Sequence, residues 1–384
     1  MLDVAIIGSG LAGMEAALRL HSRRRQVVIF EKEGTPGGLA QTHRAKGCLV
    51  DDEFQVISEV SRRMCGHQRW SSFSHELFLG ALKGGVWAEG SALEIMGEGQ
   101  QLGEWLSGLS IPDYPWTVQA ASRAPVMALR YGEFAATQFF ENAVTPLLHT
   151  VLDWPEAASR NQVSDAAGTW LDWKGVPRDG LGSVTRRHVE RTRGLLACRQ
   201  NVREIRSGAT PSLVLHSGET VQAKAVIVAT DEWASLALTG RQVPYRTKVT
   251  CWFRGPAPDD RPNVRLGWAS AGRVLNTAVV TNVNPAYAPS EALIVATILL
   301  DAEMPFTETD VKVDLASVYG VDTSRWEMIW RRERRVPAGP ALVFEPPPRG
   351  VITLQYPILD HLRAKLAGRQ AARLAAYHSD RRYR

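Results

Sequence analysis

The stretch Val4-Ala5-Ile6-Ile7-Gly8-Ser9-Gly10-Leu11-Ala12-Gly13, answered further on by Val27-Val28-Ile29-Phe30-Glu31, decides the fold. An apolar run breaks at a glycine turn. A helical pattern over residues 11–20 and the basic connector 23–25 then lead to a second apolar run. Strand, helix and strand in that order make a βαβ unit and hence a parallel sheet. The glycines are spaced G-x-G-x-x-G, so Gly8 serves the tight turn, Gly10 lets backbone approach a pyrophosphate, and Gly13 lets the helix pack on the sheet. Phosphates would face amides at the helix N-terminus, where the dipole favours negative charge. Glu31 ends the second strand eighteen residues after Gly13. A carboxylate there accepts hydrogen bonds from adenosine ribose hydroxyls and disfavours a 2′-phosphate.

The continuation Glu31-Lys32-Glu33-Gly34-Thr35-Pro36-Gly37-Gly38-Leu39-Ala40-Gln41-Thr42 resembles a stretch of the flavin-containing amine oxidase and phytoene desaturase superfamily. In that superfamily the paired glycines form a second loop against the FAD pyrophosphate. The resemblance implies FAD rather than NAD. It implies contacts from Gly8, Ser9, Gly10, Leu11, Ala12, Gly13, Glu31, Lys32, Gly38, Leu39 and Ala40, with the backbone of Val202 meeting the adenine. The segment 47–57 is similar to a flavin-side segment of one branch of these proteins, which makes Phe54 and Gln55 substrate-side candidates. Residues 202–205 and 225–231 resemble middle strands of the FAD domain, and residues 276–289 resemble a substrate-domain strand and loop.

The fold class implied is α/β. A Rossmann-type FAD-binding domain, a parallel sheet with helices and a β-meander, is assembled from 1–60, 186–240 and 341–384. A mixed-sheet α+β substrate domain takes 61–185 and 241–340. The implied activity is that of an FAD-dependent oxidoreductase oxidising a C–N or C–C bond of a small or lipophilic organic substrate by removing hydride from its carbon, with the cofactor supplying the redox step. The competing readings are a divergent, non-catalytic dinucleotide-binding protein with an incomplete flavin site, and an NAD-dependent dehydrogenase.

Three departures bear on activity. The arginine that follows the paired glycines in the family is Leu39 here, so a phosphate partner is lost. An Arg-Gly pair of the flavin-side segment has become Asp52-Glu53, which is expected to put negative charge near a reduced flavin. The family's closing Gly-Asp pair is not recognisable in residues 350–369, where only a strand and a helix over 367–372 survive; Gln355 or Asp360 is the candidate replacement. Asp51, Asp52 and Glu53 read most simply as a solvated turn, with paired acids for proton transfer as the alternative.

The 384 residues carry 45 Lys+Arg against 40 Asp+Glu, and 45% are apolar, which excludes global disorder. Residues 361–384 hold seven basic side chains and one acidic, a net of +6, so the rest of the chain sums to −1. A basic tail on a near-neutral body argues against a nucleic-acid groove. The tail reads as a surface helix with snorkelling Arg and Lys, or as a weak peripheral contact with anionic lipid. Four dispersed cysteines predict a reducing, cytoplasmic setting. Cys65, His67 and His75 have no second ligand pair, so no metal site is expected. Strands are expected at 213–216, 221–229, 249–253, 264–268, 274–280 and 292–300, and helices at 131–144 and 308–319. Basic residues 186–193 read as a solvated helical face carrying His188. Eleven of the twelve tryptophans fall in 60–185 and 241–340, as an aromatic core or as walls of an apolar cavity.

Overall fold

The computed structural model describes residues 1–55, 57–58, 70–72, 78–83, 86–91, 148–150, 152–155, 158, 173–208, 210–260, 264–266, 273–302, 304–339, 346–354 and 361–380. The chain divides into two compact units. One comprises Met1–Thr42, Leu181–Val243 and Val343–Arg384; the other comprises His43–Gly180 and Pro244–Leu342. Residues 43–60 thus belong with the second unit, where the sequence placed them in the dinucleotide domain. The cause is packing: Val50 and Phe54 are buried in one core cluster with Trp252, Val295 and Tyr287. The expected helix over 131–144 lies outside the described residues.

The first unit is built on β1 (Leu2–Ile7), α1 (Leu11–His21) and β2 (Val27–Glu31). Its seven-stranded sheet runs β10-β2-β1-β13-β12-β11, with β19 also paired to β13. Here β10 is Leu196–Cys198, β11 Val202–Arg206, β12 Ser212–Leu215, β13 Thr220–Val228 and β19 Val351–Thr353. Pairings among β10, β2, β1, β13 and β19 are parallel, whereas β11, β12 and β13 form an antiparallel meander. Val4, Ala5 and Ile6 are fully buried because apolar clusters lie on both faces of the sheet. This is the continuous apolar run demanded of a parallel strand covered twice.

Two further helices of the unit, α2 (Gly182–Thr192) and α6 (His361–Asp380), both pack on α1. A Cβ on Gly368 of α6 would lie 2.2 Å from the carbonyl oxygen of Ala12, so α6 and α1 meet backbone to backbone at that point. Ala371, Ala372, Ala375 and Ala376 extend the contact with small side chains. Glu15, buried on α1, accepts hydrogen bonds from Arg369 Nε at 2.7 Å and Arg19 Nε at 3.0 Å, and pairs with His188 Nε2 at 3.2 Å. His188 is therefore one clasp of α2 onto α1 and α6, not a solvated residue.

Burial alone would raise the Glu15 carboxyl, but hydrogen bonds from His188, Arg369 and Arg19 outweigh it and hold it at about 2 against an ordinary 4.5. A depressed folded-state value contributes stability above pH 4.5 that is lost as pH falls toward 2. Glu15→Gln is expected to flatten the pH dependence of the urea midpoint in that window, and an unchanged slope would remove Glu15 from the account.

The second unit's main sheet runs β18-β14-β17-β16-β15-β7-β8. Its strands are β7 (Phe78–Lys83), β8 (Val86–Ser91), β14 (Tyr245–Gly255), β15 (Val264–Leu266), β16 (Val274–Val279), β17 (Ala292–Asp301) and β18 (Glu327–Pro337). All neighbours are antiparallel except β15 and β7. A hairpin of β3 (Thr42–Ala45) and β4 (Cys48–Asp51) and a small sheet of β5 (Ile57–Ser58), β9 (Trp173–Pro177) and β6 (Trp70–Ser72) accompany it. One face is covered by α5 (Glu308–Tyr319), whose Val311 and Leu315 meet Val249, Cys251 and Phe253. Thr307 and Asp310 cap α5 reciprocally, and Gly320 ends it at φ +67°. Short helices α3 (Glu232–Leu238) and α4 (Val280–Val283) follow β13 and β16. The strand expected over 274–280 thus gives way at Val280 to α4.

Candidate functional site

In the first unit the glycines of the β1–α1 turn play different parts. Gly8 has φ +99°, and a Cβ there would lie 2.6 Å from the Ala229 carbonyl oxygen. A Cβ on Gly13 would lie 2.1 Å from the Gly8 carbonyl oxygen. Both are required by the fold itself. Gly10 is different: it sits at φ −64° and ψ 172°, a region open to any residue, and a Cβ there meets nothing within 4 Å. Among the described residues nothing requires glycine at residue 10. Gly10 also forms the N-cap of α1 without any side-chain cap, leaving the helix end to backbone amides.

The second glycine pair lies on the first. Gly37 N donates to Ser9 O at 3.2 Å, and a Cβ on Gly38, at φ +61°, would lie 2.9 Å from Gly10 Cα. Helix α2 holds this loop: Gly182 N donates to Thr42 Oγ1 at 2.8 Å and Thr185 Oγ1 to Ala40 O at 3.3 Å. Leu39 is half-buried beside buried Ala40, and Lys32 is exposed.

Glu31 is buried and its carboxylate is already engaged. Oε2 accepts from Ser9 N at 2.9 Å and Ser9 Oγ at 2.6 Å, and Oε1 accepts from Glu33 N at 2.9 Å. Ser9 therefore anchors Glu31 over the glycine turn. Gln200 N donates to Glu31 O at 2.8 Å, which brings buried Val202 to the same end of the sheet, two residues further on. Gly8, Ser9, Gly10, Leu11, Ala12, Gly13, Glu31, Gly38 and Ala40 thus form one cradle at the ends of β1 and β2, with Val202 next to it.

In the second unit, Asp51, Asp52 and Glu53 are all buried, contrary to the solvated turn expected of them. Asp51 Oδ2 accepts from Tyr287 Oη at 2.9 Å, and its carbonyl accepts from Trp252 Nε1 at 2.8 Å. Burial, with the charge of Asp51, pushes the Tyr287 phenol well above its usual range. Asp52 pairs with His43 Nε2 at 3.0 Å, and the His43 ring stacks on Trp330 at 4.5 Å. Glu53 meets Arg334 Nη2 at 2.5 Å and Lys248 Nζ at 3.3 Å, so its charge is neutralised within its own unit. Phe54 is a core residue, and Gln55 donates to Glu53 Oε2 at 3.0 Å.

Asp153 completes a four-membered cluster, accepting from Arg334 Nη2 at 2.6 Å and Lys248 Nζ at 3.3 Å. Burial works against every charge here, but the Arg334 and Lys248 cations hold both carboxyls below their usual range, and the carboxylates hold Arg334 above its own. Nearby, burial and then the charges of Arg246 and Lys248 keep buried His149 neutral, with its value lowered to about 3. Two carboxylates and two cations balance, so the cluster is a closed set that pins the segment 148–155 and the loop after β4 to the sheet.

On the same sheet face as Lys248, Asn276 and Thr297 stand opposite each other in register, with Thr297 opposite Thr250. Asn276 Oδ1 and Thr297 Oγ1 are buried without a hydrogen-bond partner among the described residues. Leaving a hydroxyl unpaired costs free energy that an isosteric methyl does not. Thr297→Val is expected to match or exceed the parent in stability, by up to about 1 kcal/mol, in urea titration; destabilisation would mean the hydroxyl is satisfied.

No group of three or more His, Cys, Asp or Glu with metal-site geometry occurs among the described residues, and Cys65, His67 and His75 lie outside them. No described helix is long and apolar enough to cross a membrane.

Comparisons with known proteins bear on the fold. Residues 6–68 match the NAD(P)-binding Rossmann-like domain. An inactive all-trans-retinol 13,14-reductase from Danio rerio is 36% identical over 59 residues, and protoporphyrinogen oxidase 2 from Arabidopsis thaliana is 33% identical over 57. Each match covers 15% of this chain and about a tenth of the relative, 10% and 11% respectively. Solved structures match over nearly the whole chain. A putrescine oxidase with redesigned cofactor binding has TM-score 0.65, 14% identity and 99% coverage of both chains. Reduced UDP-galactopyranose mutase has TM-score 0.66 and 14% identity, covering 98% of this chain and 96% of its own. An oxidoreductase from Methanosarcina mazei has TM-score 0.61 and 13% identity, covering 96% and 99%. The chain shares the overall fold of these solved structures, with a Rossmann-type first unit.

Proposed function

We propose that the protein is an FAD-dependent oxidoreductase acting on a small or lipophilic organic molecule. The observation that carries this reading is Gly10: its backbone would accept any side chain and open space surrounds its Cβ direction, so the reason for glycine lies in a ligand approaching from outside the chain. A pyrophosphate at the uncapped end of α1 is such a ligand. The backbone from Gly8 to Gly13 and the Gly37-Gly38 loop would hold the phosphates, Glu31 retains acceptor capacity for ribose hydroxyls, and Val202 would face the adenine. FAD, when bound, supplies acceptance of two electrons and a proton. The chain supplies binding and orientation.

In the second unit Trp252, Tyr287 and Val295 pack into a buried apolar core, and the polar residues Asn276, Thr297 and Thr250 face one another in register on the sheet. Anaerobic mixing of the FAD-loaded protein with a panel of amines and polyenes tests the activity. Bleaching of the flavin band by one substrate class is the expected result. A flavin that dithionite reduces but no organic donor does would favour a binding protein, the alternative that Leu39 in place of arginine supports.

Leu39→Arg restores a phosphate partner on the loop that lies over Gly10. It is expected to tighten FAD binding by ~10-fold, the equivalent of one charge-assisted hydrogen bond. An unchanged dissociation constant would mean that residue 39 does not face the phosphates.

A further inference from the structure

The outer face of α6 plays no part in the cradle or in the charge cluster. Six large apolar residues are exposed among the described residues, and three of them, Leu366, Leu374 and Tyr377, belong to this one helix. At 3.6 residues per turn, Leu366, Gln370, Arg373, Leu374 and Tyr377 fall within about 100° of the helix circumference. All five are exposed. The opposite side is closed by packing on α1, through Gly368 and the alanine ridge. Lys365 and Arg373 flank the apolar ridge, in a stretch whose sequence carries seven basic side chains and one acidic.

We propose that this face lies on an anionic membrane surface, with Leu366, Leu374 and Tyr377 at the headgroup boundary and the basic residues on acidic lipid. Charge complementarity selects this occupant. A second copy of the chain, related by a two-fold axis through this face, would set Arg373 against its own copy with no acidic side chain among the exposed described residues of the face to pair it. A nucleic acid would leave three apolar side chains without a partner. A bilayer accepts a shallow ridge without a matching groove and rewards both components. The inference is independent of the flavin reading, because it uses no residue of the cradle.

The test is sedimentation of the full chain with vesicles of phosphatidylcholine alone, or with about 30 mol% phosphatidylserine, at about 50 and about 300 mM salt. Binding to the anionic vesicles is expected to exceed binding to neutral ones by ~10-fold and to weaken at the higher salt. A double variant, Leu366→Ser with Leu374→Ser, and a separate Arg373→Glu should each lose most of it, with circular dichroism unchanged. Equal binding to both vesicle types would overturn the proposal. So would undiminished binding by the serine variant, which would assign the attraction to charge outside this face. Concentration-dependent dimerisation that the serine variant abolishes would replace the bilayer with a second copy.

Discussion

Gly10→Val is expected to give a folded protein that no longer takes up FAD. The backbone at residue 10 lies at φ −64° and ψ 172°, where a β-branched residue is unstrained, and the added Cβ has no neighbour within 4 Å. Thermal unfolding of the protein without ligand should therefore change by only a few degrees, on the order of a surface substitution. The isopropyl group would stand where the pyrophosphate must approach backbone, and a loss of about 100-fold or more in affinity follows from displacing phosphates from the amides of α1. Gly13→Val makes the contrast. Its Cβ would lie 2.1 Å from the Gly8 carbonyl, so helix and turn would separate. A cost above ~4 kcal/mol is expected, visible as insoluble or unfolded protein. Retention of stoichiometric FAD by Gly10→Val would show that the turn serves the fold alone.

Arg334→Met is expected to be the most destabilising change in the second unit that adds no steric clash. Arg334 is shared by Glu53 and Asp153, and its removal leaves Lys248 as the cation for two buried carboxylates. Breaking one partner out of a buried ionic set costs about 3–5 kcal/mol, because the remaining charge is neither solvated nor paired. Glu53→Gln in the Arg334→Met background should recover part of this, since it removes the excess charge; the double-mutant cycle measures the coupling. A loss below ~1 kcal/mol in urea titration, or strict additivity of the two changes, would mean that water reaches the cluster.

Much of the first unit was legible because local pattern and tertiary role coincide there. The runs Val4–Ile7 and Val27–Phe30 are apolar at every position, and only a strand buried on both faces needs that. The glycine spacing fixes the turn between them, and Gly218, at φ +92°, marks the turn between β12 and β13. In the second unit the helix expected over 308–319 is α5, Glu308–Tyr319. The strand β18 was not legible: Arg331, Arg332, Glu333, Arg334 and Arg335 give no apolar alternation, yet they form an edge strand paired along the length of β14. Charge is what keeps an edge strand from recruiting another chain, so the same side chains that suit the edge conceal it from hydrophobic pattern.

The site divides in the same way. Cradle residues 8–13, 31, 38 and 40 all fall within one βαβ unit and the loop that follows it, so local spacing brings them together. The charge cluster joins residue 53 to 153, 248 and 334, and no local rule links residues so far apart. Asp51-Asp52-Glu53 looked solvated because three adjacent acids usually are. The partners that bury them, Tyr287, His43, Arg334 and Lys248, come from four other elements of the chain. His188 was misread for the same reason, since its partner Glu15 lies on a different helix.

The central claim is that the cradle formed by Gly10, Gly38 and Glu31 holds FAD. The most direct test is the absorption spectrum of the purified protein, before and after addition of FAD and removal of the excess. A flavin band near one equivalent per chain, bleached by dithionite, is the predicted result. A colourless protein that returns all of the added FAD would contradict it.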